Sequence, residues 1–330
     1  MIDPEDSESA RALVAPIAVE RLRFVLEALE PIRLPPYAGS AWRGLLGYGL
    51  RRTACVTRQP VCDGCLLRHI CVYSTCFESP AEPQSDGRYR ALPHPFVLEP
   101  DLHAGRDIPA GTRMRFGLTL LGLFAAHGPY FIHAVRLAGE HGLGREGRRF
   151  RLLALEREAC VGAGDWEAIY DTESGEYHPR SAPFPAIPAW PGGSLRLTLE
   201  TPLRIKRRGR FVGAADFTPG ELLRQLGMRV GHLTRLYSGD GGGLDWSTLF
   251  PQADRVDLRE ADLRWHEWTR YSSRQGTLMQ MGGLLGSIRL DGDGLAAFWP
   301  ALWLGQWLHI GKGTSFGLGG YRVEAAASPA

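Results

Sequence analysis

The sequence predicts an α+β protein with two ferredoxin-like (RRM-like) domains in tandem and a cysteine-rich, metal-binding insert in the first domain. Three observations support this class. Strand-like and helical segments follow a β-α-β order in both halves of the chain. Prolines and glycines crowd residues 178–193, which is typical of a domain boundary. The chain has 330 residues, enough for two domains of about 150 residues each.

The first domain is predicted at residues 1–178. Residues 18–26 alternate in character, with Leu22, Phe24 and Leu26 on one side, which indicates a strand. After Pro35-Pro36, residues 38–52 carry apolar side chains at helical spacing. The other predicted elements of this domain are strands at 113–124 and 149–158, a helix at 130–137, and the insert at 53–78.

The second domain is predicted at residues 194–330, after a Pro/Gly linker at 179–193. Its predicted strands cover residues 194–205, 261–271, 278–290 and 321–324, and its helices cover 219–236 and 295–308. This β-α-β-β-α-β order is the complete ferredoxin-like pattern. It places a glycine-rich loop, residues 311–320, at the last corner between a helix and a strand.

Composition excludes several classes of protein. With 44% hydrophobic residues the chain can bury a core, which excludes global disorder. No apolar run approaches the roughly 18 to 20 residues of a membrane span, so no membrane partner is expected. The acidic N-terminus lacks the features of a signal peptide, which predicts a cytoplasmic protein. Cysteines in that compartment are thiols or metal ligands more often than disulfides.

Five cysteines crowd into 22 residues of the first domain. A C-x2-C pair presents two thiolates from one tight turn, and a second pair completes a tetrahedral four-sulfur site. This pattern predicts a structural zinc; an iron–sulfur cluster also uses four cysteines and is the less favoured alternative. Spacing does not choose four ligands among the five, which are Cys55, Cys62, Cys65, Cys71 and Cys76.

The glycine-rich loop holds five glycines around one lysine and two hydroxyls. It fails the P-loop spacing, because Gln306 stands where the first glycine is required. It fails the dinucleotide pattern, because the helix comes before the loop and a strand follows it. Such a loop suits a long phosphodiester backbone, and the alternative is a tight turn with a close packing contact. The candidate RNA-binding residues here are Gly311, Lys312, Gly313 and Ser315.

Residues 204–210 hold five cations just after a strand. Such a run forms either a solvated hairpin or a contact for a nucleic acid backbone. Its candidate RNA-binding residues are Arg204, Lys206, Arg207 and Arg208. Among ten histidines, His309 adjoins the glycine-rich loop, where it acts either in proton transfer or as a helix cap.

Three segments together resemble a known family. They are residues 37–47 (YAGSAWRGLLG), the insert through residues 71–73, and residues 274–321, which include GGLLG and the glycine-rich loop. The chain resembles the CRISPR-associated endoribonucleases that process precursor CRISPR RNA, members of the RAMP superfamily. Within that family it is similar to the zinc-containing branch.

The resemblance implies two ferredoxin-like domains that bind precursor CRISPR RNA and the mature product, with a CRISPR effector complex as a further partner. It implies metal-independent cleavage, in which the ribose 2′-hydroxyl attacks the adjacent phosphate and leaves a 2′,3′-cyclic phosphate. The branch's cysteine pattern favours Cys55, Cys62, Cys65 and Cys71 as ligands.

One feature departs from the family. Many members place a catalytic histidine in or near the first helix, but residues 38–52 contain none. Tyr37 and Arg43 occupy that neighbourhood, so the candidate catalytic residues are His309, Tyr37 and Arg43. Arginine stays protonated and is a poor base, although it stabilises a charged phosphorane. The rival functions are a non-catalytic RAMP subunit that binds guide RNA and a zinc-stabilised scaffold.

Overall fold

The computed structural model describes residues 17–80, 92–144, 146–239, 246–272 and 277–326. The acidic N-terminal stretch, on which the prediction of a cytoplasmic protein depends, lies outside these ranges. The chain divides into two compact units, one of residues 17–184 and one that runs from residue 185. This division falls within residues 179–193, the predicted linker.

The first unit is an antiparallel sheet with two main helices. Its strands are β1 (Val19–Ala28), β2 (Ile32–Arg33), β3 (Phe96–Pro100), β4 (Asp107–Ile108), β5 (Arg113–Leu121), β6 (Phe150–Glu158) and β7 (Trp166–Asp171). Its helices are α1 (Gly39–Ala54) and α2 (Gly128–His141), and a π-helical turn covers Ser74–Glu78. Five strands pair in the order β3-β5-β1-β6-β7, and β2 pairs with β4.

Strand β3 supplies an element that the sequence prediction lacked, because five residues after a polar stretch show too little alternation. With β3 included, the unit follows a β-α-β-β-α-β order and adds β7 at the sheet edge. The predicted strand at 113–124 ends at Leu121, where a 3-10 turn begins.

The apolar face of β1 builds the core of this unit. Leu22, Phe24 and Leu26 are buried, as their alternation predicts. Phe116 of β5 stacks between Phe24 and Trp42, with ring centroids 4.8 and 4.7 Å away. These contacts fix α1 against the sheet, because Trp42 lies in that helix.

The opposite face of β1 carries paired charges. Arg21 lies 2.5 Å from a carboxylate oxygen of Glu99 and 2.5 Å from one of Glu158. The guanidinium of Arg23 lies 4.2 Å from the ring centroid of Trp166 on β7. Ion pairs and a cation–π contact therefore stabilise this face of the strand, whereas apolar packing stabilises the other face.

The second unit repeats the order of elements. Its strands are β8 (Leu195–Leu203), β9 (Lys206–Arg207), β10 (Arg210–Phe211), β11 (Asp257–His266), β12 (Thr269–Ser272), β13 (Thr277–Gln280), β14 (Gly283–Asp291) and β15 (Tyr321–Ala325). Its helices are α3 (Pro219–Tyr237), α4 (Phe250–Ala253) and α5 (Leu295–Leu308). The main sheet has the order β11-β14-β8-β15, and its neighbours are antiparallel.

Two predicted strands of this unit are each interrupted. Residues 261–271 contribute to β11 and β12, and residues 278–290 contribute to β13 and β14. The sequence also predicts that half of the side chains around Trp265 face the core. Arg264, Trp265 and His266 are all exposed, because neither face of β11 is covered at these residues.

Helix α5 is buried along most of its length, which explains its nearly unbroken apolar sequence. The hydroxyl of Tyr321 donates a hydrogen bond of 2.7 Å to the carbonyl of Leu302, which joins β15 to the helix. In the described part of the chain, no helix combines the length and apolarity needed to cross a bilayer.

A buried carboxyl in the first unit predicts a pH dependence of stability. Burial raises the pKa of Glu20 from an ordinary 4.5 to about 7, although Arg157 lies 3.4 Å away and opposes the shift. A raised pKa contributes stability below pH 4.5, and this contribution is lost as the pH rises through 7. We expect Glu20→Gln to gain stability relative to the wild type, by up to about 3 kcal/mol, between pH 4.5 and 8.

Denaturant unfolding at several pH values measures this difference. Glu173→Gln, a change at an exposed turn, is the matched control. A Glu20→Gln curve that runs parallel to the wild-type curve would refute the prediction.

Candidate functional site

The entry to the glycine-rich loop is fixed by a half-buried arginine. Helix α5 ends at Leu308, and His309 leaves it with a φ of 52°. Arg229 of α3 donates hydrogen bonds to the carbonyls of Leu308 and His309, at 2.9 and 2.7 Å from its Nε. Burial lowers the pKa of Arg229 to about 10. This cation therefore satisfies carbonyls that the end of a helix leaves without partners.

The loop is attached to the end of β8 along its length. The N–H of Lys312 donates to the carbonyl of Arg204 at 2.9 Å, and the N–H of Gly319 donates to Pro202 at 3.1 Å. The hydroxyl of Thr201 donates to the carbonyl of Gly317 at 2.8 Å. Positive φ angles and close backbone contacts explain the glycines, which matches the close packing contact considered above.

Most of the loop's amides are used internally. The N–H groups that donate to other protein groups are those of Ile310, Lys312, Phe316, Gly317, Leu318, Gly319 and Gly320. Ser315 is buried, whereas the side chain of Lys312 is exposed. The loop therefore presents a cationic side chain on a rigid frame more than a ring of open amides.

His309 is packed inside this frame. Its side chain is 6% exposed, and its Nδ1 lies 3.2 Å from the carbonyl oxygen of Leu318. A Cβ at position 320 would lie 2.9 Å from His309 Cε1, so Gly320 is needed for the ring to fit. The environment of His309 suits a residue that shapes the loop.

Arg204 is a buried cation without an anion beside it. It is 7% exposed, and among the described residues no carboxylate lies within ion-pair distance. Its Nη1 lies 3.1 Å from the sulfur of Met281, and its guanidinium lies 4.4 Å from the ring centroid of Phe211. Burial lowers the pKa of Arg204, and the more distant Glu267 opposes this.

Arg270 of β12 has a similar environment. Its Nη2 lies 3.3 Å from the sulfur of Met279, and its guanidinium lies 4.5 Å from the ring centroid of Phe316 in the loop. Burial lowers the pKa of Arg270. The Nε atoms of Arg204 and Arg270 are both buried without a hydrogen-bond acceptor in the described structure. In the sequence, Arg270 belongs to an alternating run of cations and aromatic residues that could contact phosphates, but its proximity to the loop depends on the interrupted hairpin.

The basic run forms the solvated hairpin that was one of its two interpretations. Strands β9 and β10 pair across a turn at Arg208 and Gly209, where both φ angles are positive. Lys206, Arg207 and Arg208 are exposed. A groove of about 430 Å³ runs beside the hairpin arginines and Phe211. The hairpin thus adds positive charge close to Arg204.

In the first unit, Tyr37 lies just before α1 and Arg43 lies within it. Burial raises the pKa of the Tyr37 hydroxyl. The Nη2 of Arg43 lies 3.5 Å from the Nε2 of His94, a residue that sequence analysis did not select. No sequence signal marks His94, because its approach to α1 depends on the placement of β3.

Four of the five clustered cysteines surround one cavity. Cys55, Cys62, Cys65 and Cys71 line a space of about 10 Å³, room for a single water-sized sphere. Cys76 points elsewhere, into the apolar core beside Phe77. Burial raises the pKa of the Cys76 thiol, which disfavours the thiolate that a metal needs.

The insert has little apolar packing of its own. Its large apolar side chains are mostly exposed: Val56 74%, Val61 57%, Leu66 96% and Ile70 75%. The turn of the C-x2-C pair is present, with the N–H of Cys65 donating to the carbonyl of Cys62 at 3.1 Å. A segment of this kind gains stability from a crosslink or a metal.

The thiols do not converge as a finished site. Within the described ranges, no group of three or more His, Cys, Asp or Glu side chains is arranged to ligate one ion. The cavity lining and the missing core fit a four-thiolate metal, whose effect would be to hold the insert folded.

Two family models account for most of the chain. Residues 16–182, about half of the chain, match AF_1859_N, an N-terminal domain. Residues 197–321 match the CRISPR-associated endoribonuclease Cas6. The chain therefore belongs to the family with an AF_1859-type N-terminal domain, and its second unit is similar to the Cas6 endoribonucleases.

A sequence relative and several solved structures are similar to most of the chain. An uncharacterized protein of Archaeoglobus fulgidus is 22% identical over 302 residues, 88% of this chain and 93% of the relative. A Cas6 product complex has a TM-score of 0.55 at 15% identity, over 94% of this chain and 100% of the other. Thermus thermophilus Cas6 has a TM-score of 0.50 with the same identity and coverage. A partial Cas6-RT-Cas1–Cas2 complex has a TM-score of 0.55 at 13% identity, over 96% of this chain and 48% of the other.

The cysteine arrangement predicts the metal content of the protein. We expect one zinc per chain, and we expect Cys62→Ser to lose it and to lower the melting temperature, because thiolate–metal binding is coupled to folding. Cys76→Ala should keep the full metal content, since Cys76 lies in the core. Elemental analysis for zinc and iron checks both statements. Folded protein with neither metal, or loss of metal in Cys76→Ala, would contradict them.

Proposed function

We propose that this protein binds CRISPR repeat RNA and cleaves precursor CRISPR RNA with two ferredoxin-like domains. Cleavage occurs by attack of the ribose 2′-hydroxyl on the adjacent phosphate, without a catalytic metal, and leaves a 2′,3′-cyclic phosphate. The similarity of residues 197–321 to the Cas6 endoribonucleases supports the substrate class. The observation that carries RNA binding is a pair of guanidiniums beside the glycine-rich loop, of which Arg204 is buried and Arg270 is half-buried.

Arg204 and Arg270 are positioned for phosphates. A buried cation held by sulfur and an aromatic ring lacks the anion that normally offsets its lost hydration. Their sulfur partners are close in sequence: Met279 lies in β13, and Met281 follows the end of that strand. Two phosphates of one RNA strand would supply both missing partners.

The loop holds this pair in place. Arg204 is fixed through its carbonyl, which accepts the N–H of Lys312, and Arg270 is fixed by the ring of Phe316. The exposed Lys312 adds a third cation on the same loop. The exposed Lys206, Arg207 and Arg208 extend the positive surface and attract RNA without reading its sequence.

The proposed metal has a structural function. Cys55, Cys62, Cys65 and Cys71 would hold zinc with four thiolates, which leaves no open position for chemistry. An iron–sulfur cluster would use the same ligands. Cleavage therefore depends on protein side chains: we propose Arg43 for stabilising the phosphorane, with Tyr37 and His309 as the further candidates.

A second candidate function has one observation in its favour. His309, the proposed proton-transfer residue of the loop, is 6% exposed and faces the carbonyl of Leu318. A RAMP subunit that binds guide RNA without cutting it needs the cationic surface but no such residue. Single-turnover cleavage of repeat RNA in EDTA, with the product ends mapped, tests the proposed function directly.

The guanidinium pair predicts a change in the salt dependence of RNA binding. Each phosphate contact contributes roughly 0.7 to the slope of log affinity against log salt for single strands. We expect Arg204→Met and Arg270→Met each to reduce that slope by about 0.7, and the double variant by about 1.4. Arg196→Gln, which removes an exposed cation paired with Glu260, should leave it unchanged.

Stability separates loss of a contact from loss of the fold. Methionine keeps the apolar stem, and the charge that it removes is not ion-paired, so the melting temperature without RNA should not fall. Unchanged slopes in folded variants would reject the phosphate contacts. Absence of repeat-RNA binding by the wild-type protein would reject the proposed function as a whole.

The glycine-rich loop predicts two separable defects. Lys312→Ala should weaken RNA binding without lowering the melting temperature, because Lys312 is exposed. Gly313→Val should lower both, since Gly313 has a φ of 86° and a Cβ there would lie 2.9 Å from Leu318 Cδ1. Equilibrium binding and thermal melting measure the two effects. Normal stability in Gly313→Val would show that the loop tolerates a side chain there.

A further inference from the structure

Two large aromatic side chains lie side by side at the surface of the second unit. Trp265 of β11 is 40% exposed, and Phe211 of β10 is 37% exposed. Their ring centroids are 6.5 Å apart, and the ring planes are tilted by 52°. Single exposed aromatic residues are common on protein surfaces, but two in contact form a continuous apolar surface. We call Phe211 and Trp265 the aromatic pair.

The indole of Trp265 is held by its edge. Its Nε1 donates a hydrogen bond of 2.8 Å to Oε2 of Glu267. Both groups lie against Gly282, the first residue of the GGLLG segment: a Cβ there would lie 2.6 Å from that carboxylate oxygen and 2.8 Å from the indole Nε1. An indole N–H lies in the plane of the ring, so this hydrogen bond orients Trp265 without covering either face of the ring.

Cations border the aromatic pair. The guanidinium of Arg204 and the ammonium of Lys206 lie 4.4 and 4.8 Å from the ring centroid of Phe211. Gly283 brings Arg204 close to Trp265, because a Cβ at position 283 would lie 3.0 Å from Arg204 Cγ, whereas the preceding glycine contacts the indole. A single ribose joins a base to its phosphate. A nucleotide whose phosphate contacts Arg204 therefore has its base within reach of the aromatic pair.

We propose that the aromatic pair stacks on one unpaired base of the bound RNA, next to the phosphate that Arg204 contacts. This inference rests on the RNA binding in the proposed function and adds that the RNA is single-stranded at this point. Stacking needs the face of a base, which a duplex conceals between neighbouring base pairs. Every base has such a face, so the aromatic pair selects an unpaired nucleotide without reading its sequence.

The surroundings favour a nucleotide over an apolar protein partner. Lys206, Arg207 and Arg264 are exposed near the two rings, and an apolar protein surface would remove water from these cations without replacing it. A nucleotide supplies an anion and an aromatic face together. The hydrogen bond to Glu267 also orients the indole before RNA arrives, so less side-chain freedom is lost when a base stacks on it.

Equilibrium binding of repeat RNA with abasic substitutions tests the inference. An abasic ribose removes one base and keeps its phosphate. Placed singly at each position of the repeat, it should weaken binding to the wild type at one unpaired position by about 5- to 150-fold, the range expected for one stacked base. Trp265→Ala should cause a similar loss with the intact repeat and no further loss with that abasic repeat. Trp265→Phe, which keeps a ring, should recover part of the affinity.

Two measurements separate stacking from charge and from folding. The slope of log affinity against log salt should be unchanged in Trp265→Ala, because no phosphate contact is lost. Repeat RNA annealed to its complement should bind Trp265→Ala and the wild type equally, because its bases are covered. The melting temperature without RNA identifies folded variants. Tyr130→Ala, at a side chain of the first unit that is 42% exposed, is the matched control.

The outcomes distinguish this inference from the proposed function. Should folded Trp265→Ala bind the repeat within about twofold of the wild type, no base stacks there and the proposed function stands. A lower salt slope in that variant, or a further loss with every abasic repeat, would also overturn the stacking. Trp265→Leu, which keeps apolar bulk without an aromatic face, replaces the alanine variant if that variant misfolds. A wild type that does not bind repeat RNA removes both proposals.

Discussion

The close approach of two backbone segments organises the second unit. A Cβ at position 311 would lie 2.5 Å from the carbonyl oxygen of Arg204, and one at position 319 would lie 1.8 Å from that of Ile310. Only glycine permits such contacts, and both residues also have positive φ. The corner between α5 and β15 is thereby fixed to the end of β8. Arg204, at that end, cannot move away from its sulfur and aromatic neighbours.

This constraint explains how an unpaired cation can be stable in a buried position. Taking a guanidinium out of water costs several kcal/mol unless an anion or good acceptors replace the water. Arg204 receives a thioether, an aromatic face and a long contact of 3.4 Å to the carbonyl of Gln280, which are weak substitutes. The rest of the unit must offset the difference. A bound phosphate would itself replace the lost hydration of the Arg204 guanidinium. The buried cation that destabilises the free protein would therefore stabilise the complex with RNA.

Sequence reasoning succeeded where local pattern decides structure. Helix α5 spans residues 295–308 as predicted, because a long apolar run followed by glycines has few alternatives. The alternation of β1 correctly separated Phe24 from Arg21. The sequence did not predict β3, because this strand is only five residues long and forms because β5 provides a pairing partner. His94 was missed for the same reason, since β3 carries it to Arg43.

In the cysteine insert, the sequence names the candidate ligands but does not choose among them. Five thiols in the sequence allow five choices of four ligands, and no spacing rule selects among them. Burial separates Cys76 from the other four cysteines. Its side chain is 0% exposed within the apolar core, where a thiolate would lose its hydration, and it does not line the cavity that the other four share. The remaining four line one small space in a segment whose apolar side chains face outward. Because this segment has little core of its own, these four are the ligands that we propose for a structural metal.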